Sequence, residues 1–416
     1  MKVLALTASS ELTGPCRSLF QLVEHTKPLG VEFVLGIFLL AQYRSSLAID
    51  EAKQRGYCVE VVSQRRRYDP ALLRQVSSII RRHGISILQS HGYKSALIAW
   101  FLRRITGIPW VALAEGYTSE NRRMALYNRL DRWLLRRADR VVAVSHATAE
   151  LLRAHDISAE RTTVITNAVD ARDYQLDADR HTLRKIWHIH TDDVLVGVIG
   201  RFSPEKGHAV FIQSFKHVLK EVPGAHAVLV GEGLEEASLR ELVCAEGLEE
   251  RVHFGGYHCA MSPVFAALDL VVIPSLSEGL PLVLLEAMLH GKAVVATRIG
   301  GMPEVLTGEL ARWLVRAGDG DALAAAQIEA LKNHSLRMGL GEAGAHHVSQ
   351  QFSSARRAEH MLAVYQQVTM PSSSTTASVQ SRNVRLESPS ARSASEEINP
   401  RRSEWTCDAK EPAKRF

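Results

Sequence analysis

Three short stretches hold the residues with the clearest chemical content. In Gly200-Arg201-Phe202-Ser203-Pro204-Glu205-Lys206-Gly207, a guanidinium and an ammonium follow an apolar run and precede a helical pattern starting near His208. A helix N-terminus offers unpaired amides to an anion, Arg supplies parallel donors and Lys a point charge, so this spacing reads as a phosphate site. In Pro274-Ser275-Leu276-Ser277-Glu278-Gly279-Leu280-Pro281-Leu282-Val283-Leu284-Leu285-Glu286, two carboxylates stand eight positions apart. Glu278 is expected on a loop and Glu286 about two turns into a helix, so both can address one ligand. Val230-Gly231-Glu232-Gly233 closes another apolar run, and its glycines allow close backbone approach. Glu236 stands where a dinucleotide fingerprint has its third glycine.

Other groups of metal-ligand type lack partners at ligand spacing. Asp319-Gly320-Asp321 precedes an alanine-rich helical pattern and reads as a helix N-cap, and Asp177-Ala178-Asp179 lies in a polar connection. His188, His190, His346 and His347 read as surface residues. The five cysteines, Cys16, Cys58, Cys244, Cys259 and Cys407, show no C-x-x-C spacing and are expected to be reduced thiols, mostly buried. No metal is expected.

Strands and helices must position these loops. The chain has 416 residues, 46% hydrophobic and 23% charged, which suits two or three globular domains and excludes a peptide hormone, a coiled coil or a wholly disordered chain. The longest apolar stretches, such as residues 31–41, are broken by Glu32 and Gly36 and fall short of the ~20 residues of a membrane span. The opening Met1-Lys2-Val3-Leu4-Ala5-Leu6-Thr7 is too short for a secretion signal and reads as a first strand, so a cytoplasmic location is expected. β-Branched runs at residues 3–7, 33–38, 59–62, 85–89, 110–113, 140–144 and 163–166 alternate with amphipathic stretches such as 70–83 and 125–137. A polar passage at 170–193 separates them from a second series at 194–199, 226–230, 252–254, 270–273, 293–296 and 312–315. Alternation of this kind builds parallel sheets with helices on both faces, and ligands bind outside the carboxyl ends of the strands. An amphipathic helix at 354–367 closes the folded part. Residues 371–416, with ten serines and few apolar side chains, read as a disordered tail.

The net charge is +5, yet residues 61–140 hold 16 Lys/Arg against 5 Asp/Glu, including Arg65-Arg66-Arg67, Arg81-Arg82, Arg103-Arg104, Arg122-Arg123 and Arg136-Arg137. The stretch fits solvated helix faces or attraction to an anionic membrane surface, where each basic residue contributes about 1 kcal/mol. Nucleic acid is not an expected partner, because no recognition motif or aromatic interleaving accompanies the charge.

The ordered set Gly200-Arg201-x4-Lys206-Gly207, Gly231-Glu232-Gly233, Glu278-x7-Glu286 and Gly300-Gly301-Met302-Pro303-Glu304 resembles the retaining glycosyltransferases of the GT-B fold, family 4 group, over residues 1–368. Asp139-Arg140-Val141-Val142-Ala143-Val144-Ser145 and Asn167-Ala168-Val169-Asp170 resemble that family's strand-end serine and interdomain signatures, with Ala168 in place of a glycine. The resemblance implies an α/β chain of two Rossmann-like parallel-sheet domains facing a cleft. Residues 1–175 would form the acceptor-side domain, completed by a C-terminal helix at about 354–370, and 176–353 the nucleotide-sugar domain. The tail, 371–416, has no counterpart.

Carried onto this sequence, the resemblance implies that Arg201 and Lys206 hold the donor diphosphate and Glu286 the ribose hydroxyls. Glu278 and the amides of Gly279 and Leu280 would orient the sugar, while Pro281 has no N–H to give. His91, in Gln89-Ser90-His91-Gly92, matches a histidine beside the transferred sugar. Gly14 matches a glycine whose backbone meets the phosphates, although Thr13 and Pro15 flank it atypically. At Glu115 relatives often have histidine, which implies altered sugar or acceptor selection. The expected catalytic set is thus His91, Glu278, Arg201 and Lys206. The expected donor-binding set is Gly14, Arg201, Lys206, Gly231, Gly233, Glu278, Gly279, Leu280 and Glu286.

The implied reaction moves a sugar from a nucleotide diphosphate sugar to a glycan or polyprenyl-linked acceptor, with retention and without metal or further cofactor. Envelope, lipopolysaccharide or exopolysaccharide assembly is the expected setting, in the cytoplasm or peripherally on the inner membrane face. Two alternatives stand beside it: a nucleotide-sugar epimerase or hydrolase on the same fold, and a catalytically silent binding subunit suggested by Ala168, Pro15 and Glu115.

Overall fold

The computed structural model describes residues 1–8, 13–66, 69–117 and 122–370. The expected tail at 371–416, with Cys407, and Arg67 of the basic stretch lie outside the described residues. Strands β1 (Lys2–Thr7), β2 (Glu32–Leu40), β3 (Cys58–Gln64), β4 (Ile87–His91), β5 (Trp110–Ala114), β6 (Arg140–Ala143) and β7 (Thr162–Val164) form one sheet in the order β3-β2-β1-β4-β5-β6-β7. A second sheet, ordered β10-β9-β8-β11-β12-β13, holds β8 (Val194–Ile199), β9 (Ala225–Val230), β10 (Val252–Gly256), β11 (Leu270–Ile273), β12 (Val294–Thr297) and β13 (Leu314–Val315). All pairings in both sheets are parallel.

Strand alternation divides each core into two layers. In β1, Val3 and Ala5 pack with Leu19 and Leu22 of the helix Gly14–Thr26 and with Met361 and Tyr365 of the helix Ser354–Thr369. Leu4 and Leu6 face the other way, onto the helices Ala71–His83, Tyr93–Thr106 and Arg122–Leu135. Burial on both faces is why these strands read as continuous apolar runs rather than alternating ones. The helix Ser354–Thr369 therefore returns to the first sheet, where the Arg357 guanidinium donates to the Ser18 carbonyl at 2.9 Å.

Several expectations need correction. Only Leu314–Val315 of residues 312–315 is strand, because a 3-10 turn, Gly308–Trp313, precedes it. Of the four described cysteines only Cys16 is buried; Cys58 begins an edge strand and is exposed, Cys244 is exposed and Cys259 partly so. His347 is half-buried against Phe352, whereas His188, His190 and His346 are exposed.

Candidate active site at the carboxyl ends of the two sheets

Each sheet reverses its strand order at its centre, between β1 and β4 and between β8 and β11. A crevice opens outside the strand ends at such a point, and most of the expected site residues follow these four strands. Arg201 and Lys206 follow β8, and Glu278 follows β11. Lys206 Nζ donates to Glu278 Oε1 at 2.6 Å, and Ser275 Oγ donates to the same oxygen at 2.9 Å. Arg201 donates to Glu205 Oε1 at 2.7 Å. Burial alone would raise the Glu205 pKa, but hydrogen bonds from Ser203 and Arg201 outweigh it and hold the carboxyl below its usual range. Arg201 and Lys206 thus both lie in the loop that leads into the helix His208–Glu221, each holding a carboxylate.

Gly207 makes this convergence possible. It adopts φ 70°, and a Cβ there would collide with the Pro274 carbonyl, so at this point the loop after β8 can lie against the loop after β11 only as a glycine. Gly231 and Gly233 serve the same loop from the next strand: side chains there would meet the carbonyls of Gly200 and Phe202. Beneath it, His208 is buried edge-on to Phe202, with ring centroids 5.0 Å apart and no hydrogen-bond partner for either ring nitrogen. Burial, and then the charge of Lys206, pull its pKa down to about 4, which keeps the ring neutral.

Glu286 lies nearer the helix start than expected. Pro281, extended at φ −71° and ψ 130°, caps the helix Leu282–Leu289, so Glu286 is its fifth residue, just over one turn in. The side chain is buried and accepts from the Tyr174 hydroxyl at 2.8 Å. Burial pushes its carboxyl pKa up, against the pull of Arg17 and of the Tyr174 hydrogen bond. Arg17 comes from the helix Gly14–Thr26 and donates to the Cys259 carbonyl at 2.6 Å. Gly14 opens that helix, and its position for a Cβ lies 3.9 Å from Leu282 Cβ.

In the first domain His91 ends β4 and is 7% exposed. Its Nδ1 is 3.2 Å from Glu115 Oε1 and its Nε2 is 2.9 Å from the Gln89 amide nitrogen. Across the cleft, a Cβ at Gly279 would run into the Glu115 carbonyl, so these loops also meet backbone to backbone. The Asn167 amide donates to the Leu280 carbonyl at 2.8 Å, and Ser277 Oγ to the Tyr117 carbonyl at 2.8 Å. Glu304 joins the two sheets most directly: its oxygens accept from the amides of His146 and Ala147, both at 2.9 Å, at the start of the helix His146–Arg153. Sequence reasoning quoted Glu304 within its motif without giving it a role, and did not find Arg17, Tyr174 or Tyr365.

One Asp of each Asp-x-Asp pair acts as a cap. Asp319 accepts from the Ala322 amide, and Asp179 from the amides of His181 and Thr182. Among the described residues no group of three or more His, Cys, Asp or Glu side chains is arranged to hold a metal ion.

Residues 179–347 match the family Glycosyl transferases group 1, and residues 13–168 match the Glycosyl transferase 4-like domain. N-acetyl-alpha-D-glucosaminyl L-malate synthase of Bacillus anthracis is 30% identical over 311 residues, covering 72% of this chain and 80% of that protein. The chain belongs to the group 1 glycosyltransferases. The glycosyltransferase is also 30% identical, over 242 residues, to the lipopolysaccharide core biosynthesis mannosyltransferase LpsB of Rhizobium meliloti, covering 56% of this chain and 67% of that one. Its fold is shared with Anabaena Alr3699/HepE, solved in complex with UDP and glucose, at a TM-score of 0.77 and 23% identity over 88% of this chain and 99% of that one. No helix among the described residues is long and apolar enough to cross a membrane.

Proposed function

We propose that this glycosyltransferase moves a sugar from a nucleoside diphosphate sugar to an acceptor hydroxyl with retention at the anomeric carbon. The observation that carries the reading is the convergence of Arg201, Lys206 and the start of the helix His208–Glu221 opposite Glu278. Lys206 holds a carboxylate oxygen at 2.6 Å, a position that a diphosphate oxygen can take over. Negative charge developing on the leaving diphosphate would then meet two cations and a helix N-terminus. With Glu278 given to the sugar hydroxyls and Glu286, buried under Tyr174, to the ribose, neither carboxylate is left as a nucleophile, which supports same-face attack over a covalent carboxylate intermediate. In that step the bond from the anomeric carbon to the phosphate oxygen breaks, a bond to the acceptor oxygen forms, and the leaving phosphate takes the acceptor proton. Glu286 would hold the ribose hydroxyls once Tyr174 yields its place. No protein-held metal enters this scheme, and the use of Asp179 and Asp319 as helix caps supports that.

The acceptor we propose is a glycan or polyprenyl-linked sugar of lipopolysaccharide or another envelope polysaccharide, met in the cytoplasm at the inner membrane face. The relative acting in lipopolysaccharide core biosynthesis supports it. So does a surface on the helices Tyr93–Thr106 and Arg122–Leu135, where exposed Phe101, Ile105 and Trp133 lie among arginines. Arg104 stacks over Trp100 at 5.7 Å and Arg137 over Trp133 at 3.6 Å.

A thermal-shift panel of UDP-, GDP- and ADP-sugars tests the donor reading, since a ligand at 100 times its Kd adds about 2.7 kcal/mol. Arg201→Ala and Lys206→Ala should each weaken the nucleoside diphosphate that binds by ~2- to 10-fold, because each cation trades a carboxylate contact for a phosphate one and only the difference is gained. Sugar transfer should continue in excess EDTA. Unchanged affinity in both variants would overturn the phosphate assignment.

A further inference from the structure

His91 is not free to meet a ligand with its ring. The Tyr365 hydroxyl, on the helix Ser354–Thr369, donates to Gln89 Oε1, and both residues are completely buried. The Gln89 oxygen being the acceptor, its amide nitrogen is the group 2.9 Å from His91 Nε2. An amide nitrogen only donates, so Nε2 accepts and the ring proton sits on Nδ1. That proton points to Glu115 Oε1 at 3.2 Å. A buried chain of hydrogen bonds therefore runs from the last helix through the first sheet and ends on one carboxylate.

Glu115 is the end of that chain that meets solvent, its side chain 20% exposed against 4% for His91. Among the described residues Glu115 makes no Lys or Arg ion pair; its close partner is the His91 ring, and the buried Arg357 guanidinium acts on it only at longer range. A carboxylate has about four acceptor sites, and the His91 proton uses one. Glu115 also stands where the sugar end of a donor would lie. Its backbone packs on Gly279, and a Cβ at the neighbouring Gly116 would come within 2.7 Å of the Gly279 amide nitrogen. Gly279 follows Glu278, the partner of Lys206.

We infer that Glu115, oriented by the Tyr365–Gln89–His91 chain, is a binding residue that accepts a hydrogen bond from a hydroxyl of the transferred sugar. The inference rests on the donor placement proposed above. Glu115 touches the substrate, whereas His91, Gln89 and Tyr365 are positioning residues that act through it. A sugar lacking the matching hydroxyl leaves this acceptor unpaired, and a site built to bond a hydroxyl rejects such analogues strongly.

Calorimetry with UDP, GDP, UDP-glucose, GDP-mannose and the monodeoxy forms of the two sugar nucleotides tests it. The parent should bind one monodeoxy form at least about tenfold more weakly than its hydroxylated counterpart, the low end for a lost bond to a charged group. Glu115→Ala should erase that difference while leaving affinity for bare UDP or GDP within about twofold, below the effect of one hydrogen bond. Tyr365→Phe should reduce the same difference in part, again sparing the bare nucleotide, which a general loss of structure would not do. A monodeoxy penalty that persists in Glu115→Ala, or a loss for bare nucleotide as large as for sugar nucleotide, overturns the inference while the donor reading stands. Failure of the parent to bind any of these nucleotides overturns the donor reading, and this inference with it.

Discussion

Removing the Glu304 carboxylate should loosen the joint between the two sheets at two identifiable amides. An α-helix begins with unpaired N–H groups, and in the helix His146–Arg153 three of them are met by side chains. Ser145 Oγ accepts from Thr148 at 3.1 Å, and Glu304 takes His146 and Ala147. A hydrogen bond to a charged acceptor contributes about 1.5–3 kcal/mol, and a carboxylate at a helix N-terminus gains ~0.3–1 kcal/mol more. Both bonds share one carboxylate and the His146 side is exposed, so solvent screening reduces the sum to about 2 kcal/mol. Glu304→Ala should therefore accelerate hydrogen exchange at the His146 and Ala147 amides by roughly 30-fold, taking 1.4 kcal/mol per factor of ten. Glu304→Gln keeps one acceptor oxygen and should fall between. The consequence for the cleft follows from contact. Gly301, three residues before Glu304, packs on Ser145 and donates its amide to the Gly279 carbonyl, so the loop that carries Glu278 and Gly279 loosens with the joint. Unchanged exchange at both amides in Glu304→Ala, with the protein folded, would refute the reasoning.

Two further outcomes are expected. The depressed pKa of His208, about 4, means that the unfolded chain takes up its proton first as pH falls. Stability from this group is intact above its ordinary value near 6.5 and is lost toward pH 4, by about 3 kcal/mol. Urea unfolding of the parent and His208→Gln at pH 7 and pH 4.5 should show a shallower decline in the variant, and equal declines would sink the idea. For the arginine-flanked aromatic surface, flotation with anionic vesicles should recover the protein in a salt-sensitive way. Phe101→Ser with Ile105→Ser should reduce recovery, whereas equal recovery on neutral and anionic vesicles would return these residues to ordinary solvated surface.

The two sheets were legible because parallel strands buried on both faces leave continuous apolar runs, and because Arg201, Lys206 and Glu278 follow such runs within a few residues. The expected basic surface was only partly so. Arg103 pairs with Asp139 and Arg136 with Asp156, while Arg81, Arg82, Arg103 and Arg104 lie in the last turns of their helices, where the helix dipole favours cations. Composition counts such charges but does not say which are already satisfied. Contacts between residues far apart in sequence left no local signal at all: Tyr365 reaches Gln89, Glu304 reaches His146, and Tyr174 reaches Glu286 across 276, 158 and 112 positions. No period of 2 or 3.6 encodes such pairings. The depth of Glu286 was misjudged for a local reason, the extended Pro281 that delays the helix start.

The pairs already present among the site residues change how donor binding must work on the proposed reading. Lys206 is held by Glu278, Arg201 by Glu205, and Glu286 by Tyr174 beside Arg17. A charge left unpaired in a partly buried site is costly, and breaking such a pair costs more than the pair contributes net. Donor binding is therefore an exchange of partners, in which diphosphate oxygens displace the Glu278 carboxylate from Lys206. The gain is the difference between two charge-assisted contacts rather than the whole of one. The displaced Glu278 is then free to turn to the sugar hydroxyls, so phosphate and sugar recognition are coupled through one ion pair. A bare nucleoside diphosphate breaks that pair without giving Glu278 a new partner, which makes the sugar's contribution to affinity larger than its own direct contacts.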